Sequence, residues 1–202
     1  MTFANHLGTK IFYQVVGNGL PLVMIPGALA SYKDFFDCGY VSALKNKYKL
    51  ILIDMRGFGK SSKPHQGNEY SFKLMVEDII AVLDDLEIDR CHIYGHSLGG
   101  WLVWGLAIFY PERLQSIIIA DGAPGSDDPT GFRYVAENLD EWVAKSETPQ
   151  PFKDRLLAND RQALSAIVDW QFKEISSIIE LINTSLKNLS LLLVVIFVDK
   201  FL

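Results

Sequence analysis

The chain has 202 residues, 49% of them hydrophobic and 21% charged, with a formal net charge of −5. A chain of this length can bury one sizeable core, so we expect one domain with room for an inserted lobe. The negative charge and the lack of a Lys/Arg cluster argue against a nucleic-acid surface. The most apolar segment, residues 189–198, is far shorter than the roughly 20 residues that span a bilayer, and no signal peptide is visible. We therefore expect a cytoplasmic protein without a membrane span.

Strand-like and helix-like runs alternate through the first 125 residues. In chain order we predict strands at 9–19 and 21–27, a segment at 31–48 that is helical towards its end, a strand at 49–54, a glycine-rich loop at 55–68, a helix at 71–88, a strand at 88–95, a helix at 100–114 and a strand at 115–125. Such alternation predicts an α/β fold, with a parallel sheet that has helices on both faces.

The alternation stops after Gly125. Residues 126–188 are more polar and helix-like, and residues 189–202 resume a strand pattern. We therefore predict a core at 1–125, an inserted helical lobe at 126–188 and a return to the core at 189–202. No Cys/His/Asp cluster has metal-ligand spacing, and the glycine-rich loop lacks the spacing of a phosphate-binding loop, so we expect no metal and no cofactor.

The hexapeptide GHSLGG places Ser97 between a strand-like and a helix-like run. A serine hydroxyl is a poor nucleophile unless a base and donors for the resulting oxyanion are nearby. The pattern G-x-S-x-G between strand and helix predicts a tight turn in which Gly95 and Gly99 avoid collisions and the hydroxyl is exposed. The N–H of Leu98, at the start of the helix, would face developing negative charge.

Several stretches together resemble the α/β-hydrolase superfamily, in particular its serine-nucleophile esterases, lactonases and C–C hydrolases. Residues 76–124 look like the family's helix–strand–elbow–helix–strand centre, and LILIDMRGFGKSS looks like its strand-four loop. VMIPGALASYKDF resembles the loop that supplies the second oxyanion donor, which would be the N–H of Ala28. Relatives begin this loop with His-Gly, whereas this chain has Pro26-Gly27.

The resemblance implies an α/β-hydrolase fold whose helical cap, at 126–188, shapes the substrate pocket. A serine at the elbow favours hydrolysis of an ester, lactone, thioester or C–C bond in a small acyl substrate. It disfavours the aspartate-nucleophile epoxide hydrolases and dehalogenases, although their strand-four loop is similar. The sequence leaves the oligomeric state open.

The family order of catalytic residues is Ser, then Asp or Glu, then His. All four histidines, His6, His65, His92 and His96, precede Ser97, so no general base is found. We expect the side chain of His96 to diverge from that of Ser97, His92 to be a satisfied core residue and His65 to face solvent. His6 gives no catalytic signal.

The catalytic acid has two candidate positions. Asp121 ends the strand after the elbow helix and is a candidate acid, but capping of the turn at Gly122 is an alternative role. Asp199 is offset by two residues from the family's acid position, where this chain has Phe201, and we interpret it as a strand-end or surface carboxylate.

The final residues resemble the start of the penultimate core strand. We therefore expect a chain that is truncated at its C-terminus and lacks the last strand and helix of the fold. This leaves two hypotheses, an active serine hydrolase and an impaired or ligand-binding member of the same fold.

Overall fold

The computed structural model describes residues 2–121, 130–185 and 193–196. Within these ranges seven strands form one sheet, in the order β1-β2-β4-β3-β5-β6-β7. The strands are β1 Thr2–His6, β2 Thr9–Val16, β3 Leu20–Ile25, β4 Tyr48–Ile53, β5 Cys91–His96, β6 Leu114–Ala120 and β7 Leu193–Ile196.

The helices are α1 Asp34–Asp37, α2 Tyr40–Leu44, α3 Phe72–Asp85, α4 Leu98–Phe109, α5 Thr130–Glu137, α6 Leu139–Lys145, α7 Phe152–Leu157 and α8 Arg161–Ser185. Short 3₁₀ turns lie at Gly67–Tyr70 and Pro111–Arg113. Among the described residues, no helix is both long and apolar enough to cross a membrane.

Strands β3 to β7 pair in parallel, and β1 and β2 extend the sheet in the antiparallel sense. Parallel strands require crossover connections: α1 and α2 lie between β3 and β4 in the chain, α3 between β4 and β5, and α4 between β5 and β6. The mostly parallel sheet predicted from the alternation of patterns is therefore confirmed.

Both faces of β4 are buried at its last four residues, which explains the unbroken apolar sequence there. In β4, Leu50 and Leu52 pack into the cluster that contains Phe35 of α1, whereas Ile51 and Ile53 pack into the larger cluster on the opposite face. Successive side chains of a strand point to opposite faces, so a strand covered on both sides must be apolar at every position.

Several element ends differ from the sequence prediction by a few residues, and two differences have a clear physical reason. Helix α4 ends at Phe109, five residues before the predicted end, and Pro111 begins a 3₁₀ turn instead. Proline has no N–H and clashes with the preceding turn, so the helix cannot continue through it. Strand β1 was not predicted as a separate strand, because only Ala4 of its five residues is buried and the apolar pattern is therefore weak.

Residues 130–185 form four helices, α5 to α8, and α8 packs against the 3₁₀ turn at Gly67–Tyr70 and against α4. The ring of Trp170 stacks on Phe72 with centroids 6.3 Å apart, and a Glu174 carboxylate oxygen accepts from the Phe72 N–H at 3.0 Å. The side chain of Ser71 also accepts from Leu74 N–H at this end of α3, as an N-cap does. The predicted lobe boundary near Gly125 and its end at 188 lie outside the described residues.

Candidate active site

The turn between β5 and α4 holds Ser97 in a backbone conformation that L-residues rarely adopt. Its φ is 50° and its ψ is −118°. The Ser97 N–H donates to the Ala120 carbonyl at 2.9 Å, and the Ser97 carbonyl accepts from Trp101 N–H at 3.1 Å. Such a conformation persists only where surrounding contacts determine it, and it is typical of functional turns.

The two glycines of the turn leave no room for a side chain. A Cβ at Gly95 would lie 2.3 Å from the Gly99 carbonyl oxygen. A Cβ at Gly99 would lie 2.6 Å from the carbonyl oxygens of both Ile25 and Pro26. The G-x-S-x-G spacing is therefore required here because backbone approaches backbone on both sides of the serine.

The loop after β3 lies directly against this turn. A Cβ at Gly27 would be 3.3 Å from Ser97 Cβ and 3.0 Å from His96 Nδ1. Residues 27–30 form a tight turn, in which the Ala30 N–H donates to the Gly27 carbonyl at 3.3 Å. Ala28 is the second residue of that turn. The structure thus brings together the Ala28 loop, Ser97 and the first residue of α4, Leu98, whose N–H belongs to the four that find no acceptor within a helix.

Asp54 supports the other side of this loop and is fully buried at the carboxyl end of β4. One carboxylate oxygen accepts from Tyr32 N–H at 2.7 Å and the other accepts from Lys60 N–H at 2.8 Å. Burial raises the pKa of Asp54 from 3.8 to about 6, and these two backbone donors oppose the rise. Gly59 is required beside it, since a Cβ there would lie 2.2 Å from a carboxylate oxygen.

A second buried network fixes the rest of the strand-four loop. The Arg56 guanidinium binds both oxygens of Asp78, at 2.9 and 2.7 Å, and also donates to the Glu69 carbonyl. His6 Nδ1 lies 2.7 Å from Asp78 Oδ1, and Arg56 and Asp78 are both buried. His6 and Arg56 therefore belong to one structural ion-pair cluster that joins β1, α3 and the loop.

His92 and His65 have hydrogen-bond partners of their own. His92 Nδ1 pairs with Ser116 Oγ at 2.8 Å, as expected for a satisfied core residue. His65 is 48% exposed and pairs with Asp160 at 3.0 Å. His96 lies against Gly27, and burial lowers its pKa while the charge of Asp121 opposes that effect. None of the hydrogen bonds between described residues joins a histidine to Ser97.

Asp121 directly follows the last residue of β6, whose carbonyl accepts the Ser97 N–H. It is exposed and has a positive φ of 53°. Its role as the acid stays a prediction. The alternative role at Gly122, and the candidate Asp199 with its neighbour Phe201, lie outside the described residues.

Two residues of this region were not singled out from the sequence. Asp54 is the first residue of the D-x-R-G-x-G-x-S stretch, so this motif could have identified it. Asn159, whose side chain reaches the carbonyl of Leu29, stands 130 positions from its partner and is marked by no local pattern. In the part of the chain that the structure describes, no group of three or more His, Cys, Asp or Glu side chains could hold a metal ion.

A family model for the alpha/beta hydrolase fold matches residues 21–163, which include the loop after β3, the serine turn and α7. The chain belongs to the α/β-hydrolase family. Solved structures share the fold of this chain. A hydrolase from Pseudomonas aeruginosa PA01 aligns with a TM-score of 0.76 at 20% identity, over 98% of this chain and 89% of that one.

The relatives of this chain are named for different reactions. Bifunctional epoxide hydrolase 2 of Sus scrofa is 31% identical over 112 residues, which are 54% of this chain and 20% of that protein. Pimeloyl-[acyl-carrier protein] methyl ester esterase of Aeromonas hydrophila is 40% identical over 87 residues, which are 43% of this chain and 32% of that protein. The match thus spans only a fifth to a third of these relatives' length.

Proposed function

We propose that this protein is a serine hydrolase that acts through an acyl-enzyme on a small uncharged ester, lactone or related acyl compound. Ser97 is the nucleophile, and the N–H groups of Leu98 and Ala28 form the oxyanion hole. The observation that carries the proposal is the backbone of Ser97, held at φ 50° between two glycines that tolerate no side chain.

In the proposed reaction Ser97 Oγ attacks the substrate carbonyl carbon and loses its proton to a base. The carbonyl oxygen becomes an anion that accepts hydrogen bonds from Leu98 N–H and Ala28 N–H. Collapse of this intermediate breaks the bond to the leaving group, which takes up the proton, and water then hydrolyses the acyl-serine. Since every histidine precedes Ser97 and none bonds to it among the described residues, we assign the base to none of them.

An ester or lactone is favoured over an epoxide by the residue at the elbow. The similarity to epoxide hydrolases lies within a region that also resembles a methyl ester esterase, so overall identity does not separate the two activities. Serine at position 97 forms an acyl ester with a carbonyl substrate. The epoxide hydrolases of the family that Ser97 disfavours use an aspartate as the nucleophile instead.

Chemical rescue tests this proposal in the 202-residue protein. Added imidazole can act as the base. Because imidazole alone also cleaves p-nitrophenyl acetate, the rate with imidazole and no protein is subtracted, and the remaining rate should increase with imidazole concentration. The increase should disappear in Ser97→Ala and persist in Ser177→Ala, which removes an exposed serine of α8. Mass spectrometry after treatment with a fluorophosphonate should find the label on Ser97. Equal rates in the two variants, together with an unlabelled Ser97, would rule the nucleophile out.

The alternative function is ligand binding by the same fold without turnover. The position of all four histidines ahead of Ser97 favours it. It predicts that imidazole gives no Ser97-dependent hydrolysis, while a non-hydrolysable acyl phosphonate ester still raises the melting temperature. Hydrolysis that is lost in Ser97→Ala would exclude this alternative.

A further inference from the structure

The helical segment contacts the Ala28 loop through one buried amide. Asn159, between α7 and α8, is 8% exposed, and its Nδ2 donates to the Leu29 carbonyl at 3.0 Å. The same Nδ2 lies within hydrogen-bonding distance of the Arg155 and Leu156 carbonyls, at 3.2 and 3.0 Å. Asn159 thus terminates α7 and at the same time joins it to the loop after β3.

The carbonyl that Asn159 binds belongs to a residue in an unfavourable conformation. Leu29 has a φ of 66° and is the third residue of the turn closed by Ala30 N–H and the Gly27 carbonyl. A type II turn requires a positive φ at this position and normally has glycine there. Leucine adopts it only when other contacts hold it, because its Cβ crowds the following carbonyl oxygen. Its side chain is 7% exposed and its carbonyl is bound by Asn159, so the turn is held at both groups.

This turn also carries the proposed oxyanion donor. Ala28 lies between Gly27, which packs against Ser97 Cβ, and Leu29. If Leu29 relaxed to a negative φ, the peptide group between Ala28 and Leu29 would rotate and the loop would shift against Ser97. A hydrogen-bond donor stabilises an oxyanion only at the correct distance, so this shift would act on the transition state more than on substrate binding.

A second contact joins α7 to helix α1, which follows the loop after β3. Arg155 Nη2 of α7 forms ion pairs with Asp34 Oδ1 at 2.5 Å and Asp37 Oδ2 at 2.7 Å. The other oxygen of Asp34 accepts from Ser31 N–H at 3.0 Å. Asn159, just after α7, therefore contacts the loop after β3, and Arg155 of α7 contacts α1, which follows that loop. These two contacts favour movement of α7 and the loop as one unit.

We propose that Asn159 is a positioning residue, which holds Leu29 at positive φ and so keeps Ala28 N–H directed at the oxyanion formed on Ser97. The inference rests on the proposed role of Ser97. It also means that displacement of α7 opens the oxyanion hole, so that the helical segment controls the chemical step as well as the pocket.

The matched variants are Asn159→Ala and Asn138→Ala. Asn138 Nδ2 donates to the Tyr134 carbonyl at 2.9 Å, four residues earlier, and so makes the same kind of bond within the helical segment without reaching the loop. In the imidazole-assisted assay, Asn159→Ala should lower kcat about tenfold, a fraction of the loss seen when an oxyanion donor is removed outright, and leave KM within about twofold. Asn138→Ala should change neither. An Asn159→Ala variant with unchanged kcat, or with the loss confined to KM, would overturn the proposal.

Replacement of Leu29 tests the link through φ. Glycine adopts a positive φ without strain. In a Leu29→Gly background, Asn159→Ala should therefore lower kcat by less than about threefold. A loss equal to that in the Leu29 background would show that Asn159 does not act through this turn.

Amide hydrogen exchange separates this proposal from that of the nucleophile. The Ala30 N–H, which closes the turn, should exchange about tenfold faster in Asn159→Ala and at the original rate in Asn138→Ala. If that pattern appears without any Ser97-dependent hydrolysis, the proposed function fails and the coupling stands. If hydrolysis depends on Ser97 but the two asparagine variants match in kcat and in exchange, the coupling fails and the function stands.

The wild-type protein provides a test that needs no variant to fold. The N–H groups of Ala30 and Asn159, which donate to Gly27 and Leu156, should share one opening equilibrium and the same dependence on denaturant. Opening of the Asn159 amide at lower denaturant, with Ala30 still protected, would contradict movement as one unit.

Discussion

Replacement of Asp54 by asparagine should change how stability depends on pH. The carboxylate is fully buried, and its pKa rises from 3.8 to about 6 because burial disfavours the charged form. Asparagine has nearly the same shape and keeps one oxygen as an acceptor for a backbone N–H. Its amide nitrogen would face a second donor, either Tyr32 N–H or Lys60 N–H, at the cost of about 1–3 kcal/mol for the lost bond.

The magnitude follows from the two pKa values. Because the folded protein holds the Asp54 proton more tightly than the unfolded chain, stability is greatest below pH 3.8 and falls as pH rises through 6. Ionisation of the buried group costs folding about 1 kcal/mol at pH 4.5 and about 3 kcal/mol at pH 7.5. Asp54→Asn does not titrate, so the free energy of unfolding of wild type minus that of the variant should fall by about 2 kcal/mol between these pH values.

Urea unfolding at pH 4.5 and pH 7.5 measures this difference directly. The control is Asp89→Asn, which neutralises an exposed carboxyl group and should follow the wild type at both pH values. If the difference between wild type and Asp54→Asn stayed constant, or grew with pH, Asp54 would be an ordinary ionised carboxylate and the argument from burial would be wrong.

Two further variants test the buried ion pair and the backbone of the serine turn. Arg56→Ala leaves Asp78 buried without its cation and should destabilise the protein by about 3–5 kcal/mol. Arg161→Ala removes an exposed arginine from its ion pair with Asp140 and should cost less than about 1 kcal/mol. Urea unfolding measures both losses of stability. Ser97→Gly should be about 1 kcal/mol more stable than Ser97→Ala, since glycine relieves the conformation at φ 50° that alanine retains. Equal melting temperatures for the two Ser97 variants would show that the turn is not strained.

Local patterns allowed much of the fold to be predicted. The apolar stretch at 49–54 was interpreted as a strand covered on both faces, and Leu50 and Ile51 do pack on opposite sides of the sheet. The sequence also predicts the tight turn at Ser97, because the motif G-x-S-x-G places residues without side chains two positions before and two positions after the serine. In both cases the decisive residues lie close together in sequence, so the pattern shows them even where, as at Gly99, the packing partners Ile25 and Pro26 are distant.

Other features depend on residues far apart in the chain and left no local signal. The bond between Asn159 and Leu29 joins positions 130 residues apart. Leu29 itself gives no sign of a positive φ, because leucine is not a residue that favours such turns. The helix predicted at 100–114 extends past the observed end of α4 at Phe109, because Pro111 cannot continue the helix.

Ser97 and Leu29, which both have a positive φ, explain why the region needs support from distant parts of the chain. Ser97 and Leu29 lie on facing turns, and each would relax to an ordinary conformation if released. Ser97 is held by its bond to the Ala120 carbonyl and by close backbone packing at Gly95 and Gly99. Leu29 also has a glycine two residues before it, Gly27, and it is held in addition by the bond from Asn159 to its carbonyl. The helical segment thus supports the loop after β3 through Asn159, as the Ala120 carbonyl supports the serine turn.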